Sequence, residues 1–164
     1  MYGQADTIIR LDVMSGSSTN FQFNSYSKII SGIEYTNWTR FRVYFKVHDG
    51  THTGNPTANT WELLVHANAS PIPGDGGNTL GLDRVELAVE NAGSGTATAG
   101  IGNYVVITGT SQATADQLIT GGANLAVPAY EDVIISYRVG GTNSVQGAVP
   151  DYYFVDLVFT LNTQ

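Results

Sequence analysis

Apolar and polar side chains alternate along most of this chain, and that alternation is what most restricts its fold. The clearest run is Arg40 to Val47, where apolar residues take every second position: Phe41, Val43, Phe45 and Val47. Successive residues of a strand point to opposite sides of a sheet, so this run predicts a strand with one buried and one wet face. Further runs predict strands at Thr7–Val13, Trp61–His66, Leu82–Glu90, Tyr104–Thr108, Asp132–Val139 and Tyr152–Leu161.

Together with short strands around Phe21–Phe23 and Lys28–Ile30, these runs predict eight or nine strands separated by turn residues. No segment has the 3.6-residue period of a long amphipathic helix, which excludes a parallel α/β fold; Ser111–Thr120 is interpreted as one helical turn. We therefore expect an all-β, antiparallel two-sheet β-sandwich with immunoglobulin-like, pilin-like or jelly-roll connections.

Residues 6–164 are expected to form a single domain, because no repeat or linker divides them. Gly3 and Ala5 have the spacing that signal peptidase prefers, and a strand-like run follows directly. Residues 1–5 are therefore interpreted as the end of a removed signal peptide or as an added start.

Charge and cysteine content narrow the range of partners. The chain has no cysteine, only 13% charged residues and a net charge of −7. Its seven basic residues are dispersed along the sequence, so nucleic acid and anionic membrane surfaces are not expected as partners. No window approaches ~18 consecutive apolar residues, so no membrane span is expected.

No catalytic, metal or cofactor site is predicted. The chain has no Gly-x-Ser-x-Gly motif, and its carboxylates at Glu62, Asp83, Glu86 and Glu90 take outward strand positions typical of solvated charges. His48-Asp49-Gly50-Thr51-His52 carries metal-ligand side chains, and Asp75-Gly76-Gly77-Asn78 carries oxygen ligands for calcium. Both are interpreted as turns, because glycines interrupt them. We expect a protein that is not an enzyme.

Two stretches carry a resemblance to known families. Trp61-Glu62-Leu63, set between two alternating strands, resembles the Trp-x-Leu segment of WxL-domain cell-surface proteins. The Tyr-led last strand, Tyr152–Leu161, is similar to the end of WxL domains and of fimbrial subunits. A second Trp-x-Leu is usual near the end of WxL domains, and Phe159-Thr160-Leu161 stands there instead, so attachment to a cell wall is not carried over. The resemblance implies a secreted, non-catalytic subunit at the bacterial cell surface.

Two segments predict how such a subunit assembles with itself as a homopolymer or with other surface subunits. Ile9, Leu11 and Val13 form one face of a terminal strand that could be donated to the sheet of a neighbouring copy. On the last strand, Tyr152, Phe154 and Val158 form a face more apolar than solvent exposure calls for. We expect a pilus, filament or surface-layer subunit.

Two alternative functions fit the same fold. A carbohydrate-binding module or adhesin would use aromatic rings to stack on sugars, and the candidates are Tyr35, Trp38, Arg42 and Tyr44. Glycans would then be its partners. The third interpretation is a structural sandwich protein of a virus or phage.

Overall fold

The computed structural model describes residues 7–47, 59–125 and 129–164, and strands dominate them. Seven strands have seven or more residues: β1 (Ile8–Ser15), β2 (Ile33–Lys46), β3 (Trp61–Ala67), β6 (Val85–Asn91), β9 (Asp116–Gly122), β10 (Glu131–Val139) and β11 (Leu157–Thr163). Four strands have two residues each: β4 (Ile72–Pro73), β5 (Thr79–Leu80), β7 (Thr96–Ala97) and β8 (Val105–Val106). The helix α1 (Tyr26–Ser31) and two 3₁₀ turns, Leu82–Arg84 and Gln112–Thr114, complete the described elements.

The strands form two facing antiparallel sheets. Sheet A has the order β1-β2-β10-β6-β8, and sheet B has the order β11-β3-β9-β7, while β4 and β5 pair separately. The space between the sheets is filled by the apolar faces that the alternation predicts, including Phe41, Val43, Phe45, Trp61, Leu63, Val65, Leu87, Val133 and Ile135. The predicted all-β, antiparallel two-sheet sandwich is confirmed.

The first half of the chain pairs with the second half in a nested order. β2 pairs with β10, β3 with β9, and β6 with β8. Successive pairs fall alternately in sheet A and sheet B, as they do when a long two-stranded hairpin is rolled around a core. This is a jelly-roll arrangement, one of the three connection patterns expected from the sequence.

The strands nearest the two chain ends lie outside the rolled hairpin and next to each other. β1 forms one edge of sheet A beside β2, and β11 forms one edge of sheet B beside β3. β1 and β11 are in contact across the sandwich, and the rings of Phe41 and Phe159 lie 4.7 Å apart nearby. Both terminal strands are therefore edge strands on the same side of the molecule.

The segment between β1 and β2 differs from the sequence prediction. Phe21–Phe23 forms no strand, and Lys28–Ile30 lies within α1, which begins after Ser25. The Ser25 side chain accepts a hydrogen bond from the backbone N–H of Lys28, the usual arrangement at a helix N-terminus. A capped helical turn therefore replaces the expected strand.

Candidate functional site

The structure places the three candidate donor residues in the molecule's own sheet. Ile9 lies opposite Phe45, Leu11 opposite Val43 and Val13 opposite Phe41, so the three share the core-facing side of β1. Leu11 packs against the core, while Ile9 and Val13 remain 45% and 53% exposed. Donation to a neighbouring copy would require β1 to leave β2, and this role stays a prediction.

The second candidate surface precedes and enters β11. Tyr152 and Phe154 are 76% and 62% exposed, and Val158 is also exposed. Their alternating neighbours turn inward as expected and pack against the core: Tyr153, Val155, Leu157, Phe159 and Leu161. The regular strand begins only at Leu157, however, because residues 152–154 run along the β4 turn instead, with the Phe154 N–H donating to Pro73 O. Tyr152, Phe154 and Val158 are named the apolar surface below.

Asp151, next to the apolar surface, holds the turn between β4 and β5. Its carboxylate accepts hydrogen bonds from the backbone N–H of Gly76 at 3.0 Å, from the Asn78 side chain at 3.0 Å and from the N–H of Tyr152 at 2.8 Å. The turn considered above as a source of oxygens for calcium thus presents donors to an anion. The hydrogen bonds from Gly76 and then Asn78 hold the pKa of Asp151 below its usual value.

This contact makes a pH-dependent contribution to stability. Because the folded-state pKa of Asp151 is depressed, its stabilisation is present above the unfolded-state value of about 3.9 and is lost as the pH falls through the folded-state pKa. We expect the free energies of unfolding of the wild type and Asp151→Asn to differ less in acid than at neutral pH. Urea unfolding, from neutral pH down to a pH at which Asp151 is protonated in the folded protein, measures this difference. Asp75→Asn, on the same turn, is the matched control because it leaves the Asp151 bonds in place. A pH-independent difference would contradict the assignment.

The four sugar-binding candidates fall into two different contacts. The rings of Tyr35 and Trp38 lie 5.1 Å apart, and their polar atoms donate to the backbone oxygens of Asn20 and Ser18, which ties down the segment before α1. Their polar atoms are thus engaged within the protein.

Arg42 and Tyr44 instead belong to the outer face of sheet A. The guanidinium of Arg42 lies 3.8 Å from the centre of the Tyr130 ring, and that of Arg10 lies 4.0 Å from the centre of the Tyr44 ring. One face of each ring is therefore covered by an arginine and not free to stack on a sugar. Carbohydrate binding stays a prediction.

The fold gathers basic residues that are dispersed in the sequence. Four of the seven in the chain share the outer face of β1 and β2: Arg10, Arg40, Arg42 and Lys46. Two carboxylates offset them, since Asp12 Oδ2 lies 3.1 Å from Arg10 Nε and Asp132 pairs with Arg40 and Arg42. The hydrogen bond from Arg40 lowers the pKa of Asp132, while the same contact raises the pKa of Arg40. The alternation places Arg40, Arg42 and Lys46 on the wet face of β2 and Arg10 on the outer face of β1, but it does not predict that the two strands pair and bring these charges together.

Glu86 corrects one interpretation made from the sequence. It points outward from sheet A as expected, yet it is fully buried rather than solvated. Its carboxylate accepts hydrogen bonds from the Arg138 guanidinium and from the backbone N–H and hydroxyl of Thr142. The Arg138 guanidinium also lies 4.1 Å from the centre of the Tyr104 ring. Burial, with a smaller contribution from the Glu34 carboxylate, raises the pKa of Tyr104 to about 12. This cluster is a structural ion pair under a covering loop.

Several sequence interpretations fall on residues that the structure leaves undescribed. The His48–His52 loop and residues 1–5 lie outside the described ranges. Among residues 7–47, 59–125 and 129–164, no three His, Asp or Glu side chains gather in a way that could hold a metal ion. Within the same ranges, no helix has the length and apolar character needed to cross a membrane.

No protein-family model matches the chain, and no curated protein is significantly similar to it. Trp61 and Leu63, which carried the resemblance to WxL domains, are buried core residues of β3. The structure establishes the all-β sandwich. The WxL or fimbrial resemblance stays a prediction.

Proposed function

We propose that the chain is a non-catalytic structural subunit that assembles with further copies of itself, in a filament or surface layer outside the cell. The apolar surface is the observation that carries the proposal. Tyr152 and Phe154 are large side chains, 76% and 62% exposed, two positions apart on the segment that leads into β11, where Val158 is also exposed. A contiguous exposed apolar patch usually marks a site of protein interaction.

The position of the terminal strands supports the same proposal. An edge strand carries unpaired backbone N–H and C=O groups along one side, and proteins that stay monomeric usually block such edges. Here β1 and β11 lie on one side of the sandwich, near the apolar surface that leads into β11. The low charge content suits a secreted protein at the bacterial cell surface.

Replacing the two aromatic residues of the apolar surface tests the proposal. We expect the wild type to form large assemblies in electron micrographs and light scattering, and Tyr152→Ser/Phe154→Ser to lose them, because the patch that neighbouring copies bury is gone. Tyr26→Ser is the matched control, since Tyr26 is an aromatic residue that is 74% exposed on α1, outside the apolar surface. Wild-type protein that stays monomeric at high concentration would count against the proposal.

A second candidate function is a structural protein of a virus or phage. The nested strand pairing favours it, because the jelly roll is a recurring architecture of capsid subunits. Both functions require self-assembly, and the shape of the assembly separates them. Closed shells in micrographs support the viral or phage function, and filaments or sheets support the surface function.

Carbohydrate binding is the remaining alternative, and the jelly roll also occurs in lectins. A glycan array combined with light scattering separates it from the main proposal. A monomer that binds sugar would favour the adhesin, and a polymer that binds none would favour the structural subunit.

A further inference from the structure

We propose that two copies of this chain join edge to edge through β1, in an antiparallel pair centred on Leu11. Sheet A of one copy would then continue into sheet A of the other. This inference rests on the proposed function, because it names one of the interfaces through which the subunit assembles.

Among the residues that the structure describes, no strand occupies the outer edge of β1. In the described part of the chain, β1 pairs with β2 alone, so one side of its backbone has no strand beside it. Backbone hydrogen bonds from a second strand would satisfy those groups, as in other cases of strand addition. The ladder with β2 is regular from Ile8 to Val13 and shifts register only between Val13 and Ser15. A straight segment is thus presented at the edge.

The charges of β1 are arranged so that the strand complements itself. In an antiparallel pair with its two-fold axis at Leu11, Arg10 of each copy lies directly opposite Asp12 of the other. Both residues lie on the outer face, where Arg10 already contacts Asp12 of its own strand at 3.1 Å. Opposite charges placed across neighbouring strands stabilise their pairing, and this register produces two such pairs at once.

The apolar side chains of β1 follow the same symmetry. In this register Ile9 of each copy lies opposite Val13 of the other, on the core-facing side. These two residues are half exposed in the single chain although they face the core, because no strand lies beyond β1 in the described residues. Joining two copies would cover them. Moving the two-fold axis to residue 10 or 12 would place Arg10 opposite Arg10 or Asp12 opposite Asp12, so these registers would lose the match of charges.

Charge reversal tests the interface directly. We expect Arg10→Asp alone and Asp12→Arg alone each to weaken dimerisation by about tenfold or more, because like charges then lie opposite each other. An equimolar mixture of the two variants restores opposite charges at both positions, as does the double variant, and both should dimerise again. Lys46→Asp, on the same face but one strand further in, is the matched control. All variants carry Tyr152→Ser/Phe154→Ser, so that the apolar surface cannot drive larger assembly. Sedimentation equilibrium then measures the dissociation constants, and circular dichroism checks that each variant is folded. If the two single variants are folded but their mixture does not dimerise, the proposed register is wrong.

Cysteine cross-linking tests the register without changing charge. The chain has no cysteine, so introduced thiols have no competitors. Ile9→Cys mixed with Val13→Cys should give a covalent dimer on oxidation, while either variant alone should not, because each residue lies opposite the other kind. If the wild type forms large assemblies and the mixture does not cross-link, this interface is wrong and the proposed function stands. If the wild type forms no assembly of any size, both fail.

Discussion

Replacing Arg138 with leucine is expected to lower the free energy of unfolding by about 4 kcal/mol, because it leaves a buried carboxylate without its counter-ion. Glu86 is 0% exposed, whereas the Arg138 side chain is 26% exposed. If one partner is removed, water can therefore solvate the charge that remains on Arg138. It cannot reach the charge that remains on Glu86. For this reason Glu86→Leu is expected to cost less, about 2 kcal/mol.

The double variant separates the ion pair from general packing. Replacing a buried ion pair by apolar side chains is often nearly neutral, so Glu86→Leu/Arg138→Leu should lie within about 1 kcal/mol of the wild type. Arg84→Leu is the matched control, since Arg84 pairs with the exposed Asp83 and its loss should cost less than about 1 kcal/mol. Urea unfolding of all four variants measures these differences. An Arg138→Leu effect no larger than that of the control would contradict the buried pair.

The buried state of Glu86 shows what alternation can and cannot predict. Which way a side chain points is a local property of a strand, and the sequence places Glu86 outward from β6 correctly. What covers that face is not local, because Thr142, which donates to the carboxylate, lies 56 residues further along the chain. The direction of a side chain was therefore predictable, but its burial was not.

The sequence also failed to predict the strand β9, for a different reason. Ser111–Thr120 was interpreted as a helical turn, and only Gln112–Thr114 is helical, while Asp116–Gly122 is a strand. Leu118 and Ile119 are adjacent and both buried, so the run does not alternate. The register between β3 and β9 shifts twice, which explains how neighbouring residues both reach the core. A strand with such irregularities lacks the periodic signal on which sequence prediction depends.

Some features of the candidate assembly surfaces could be predicted from the sequence, and others could not. Alternation predicts that Tyr152, Phe154 and Val158 share the outward side, and that Ile9, Leu11 and Val13 share one face. It leaves open whether a loop covers the first set. The contact of Asp151 with the β4–β5 turn joins residues more than seventy positions apart, and no pattern in the sequence signals it. The pairing of β1 with its own β2 is likewise a matter of sheet order, which alternation leaves open.

A second large loss of stability is expected where Gly122 contacts Trp61. A Cβ atom placed on Gly122 would lie 1.9 Å from Cε2 of the Trp61 indole, far inside the contact distance. The indole has nowhere to move, because it is fully buried and its Nε1 donates to Glu131 Oε1 at 2.8 Å. We therefore expect Gly122→Ala to lower the free energy of unfolding by about 3 kcal/mol, at the upper end of the usual cost of overpacking.

The neighbouring glycine provides the control that isolates this steric effect. Gly121 has a positive φ of 69° and no atom within 4 Å of a built Cβ, so Gly121→Ala should cost only the backbone strain, about 1 kcal/mol. Adding Trp61→Phe to Gly122→Ala frees space for the new methyl group, so the double variant should be more stable than the sum of the single effects predicts. Additive losses in urea unfolding, or a Gly122→Ala effect no larger than that of Gly121→Ala, would show that the indole does not pack on Gly122. The close approach of β9 to β3 would then need another cause than the absence of a side chain at this position.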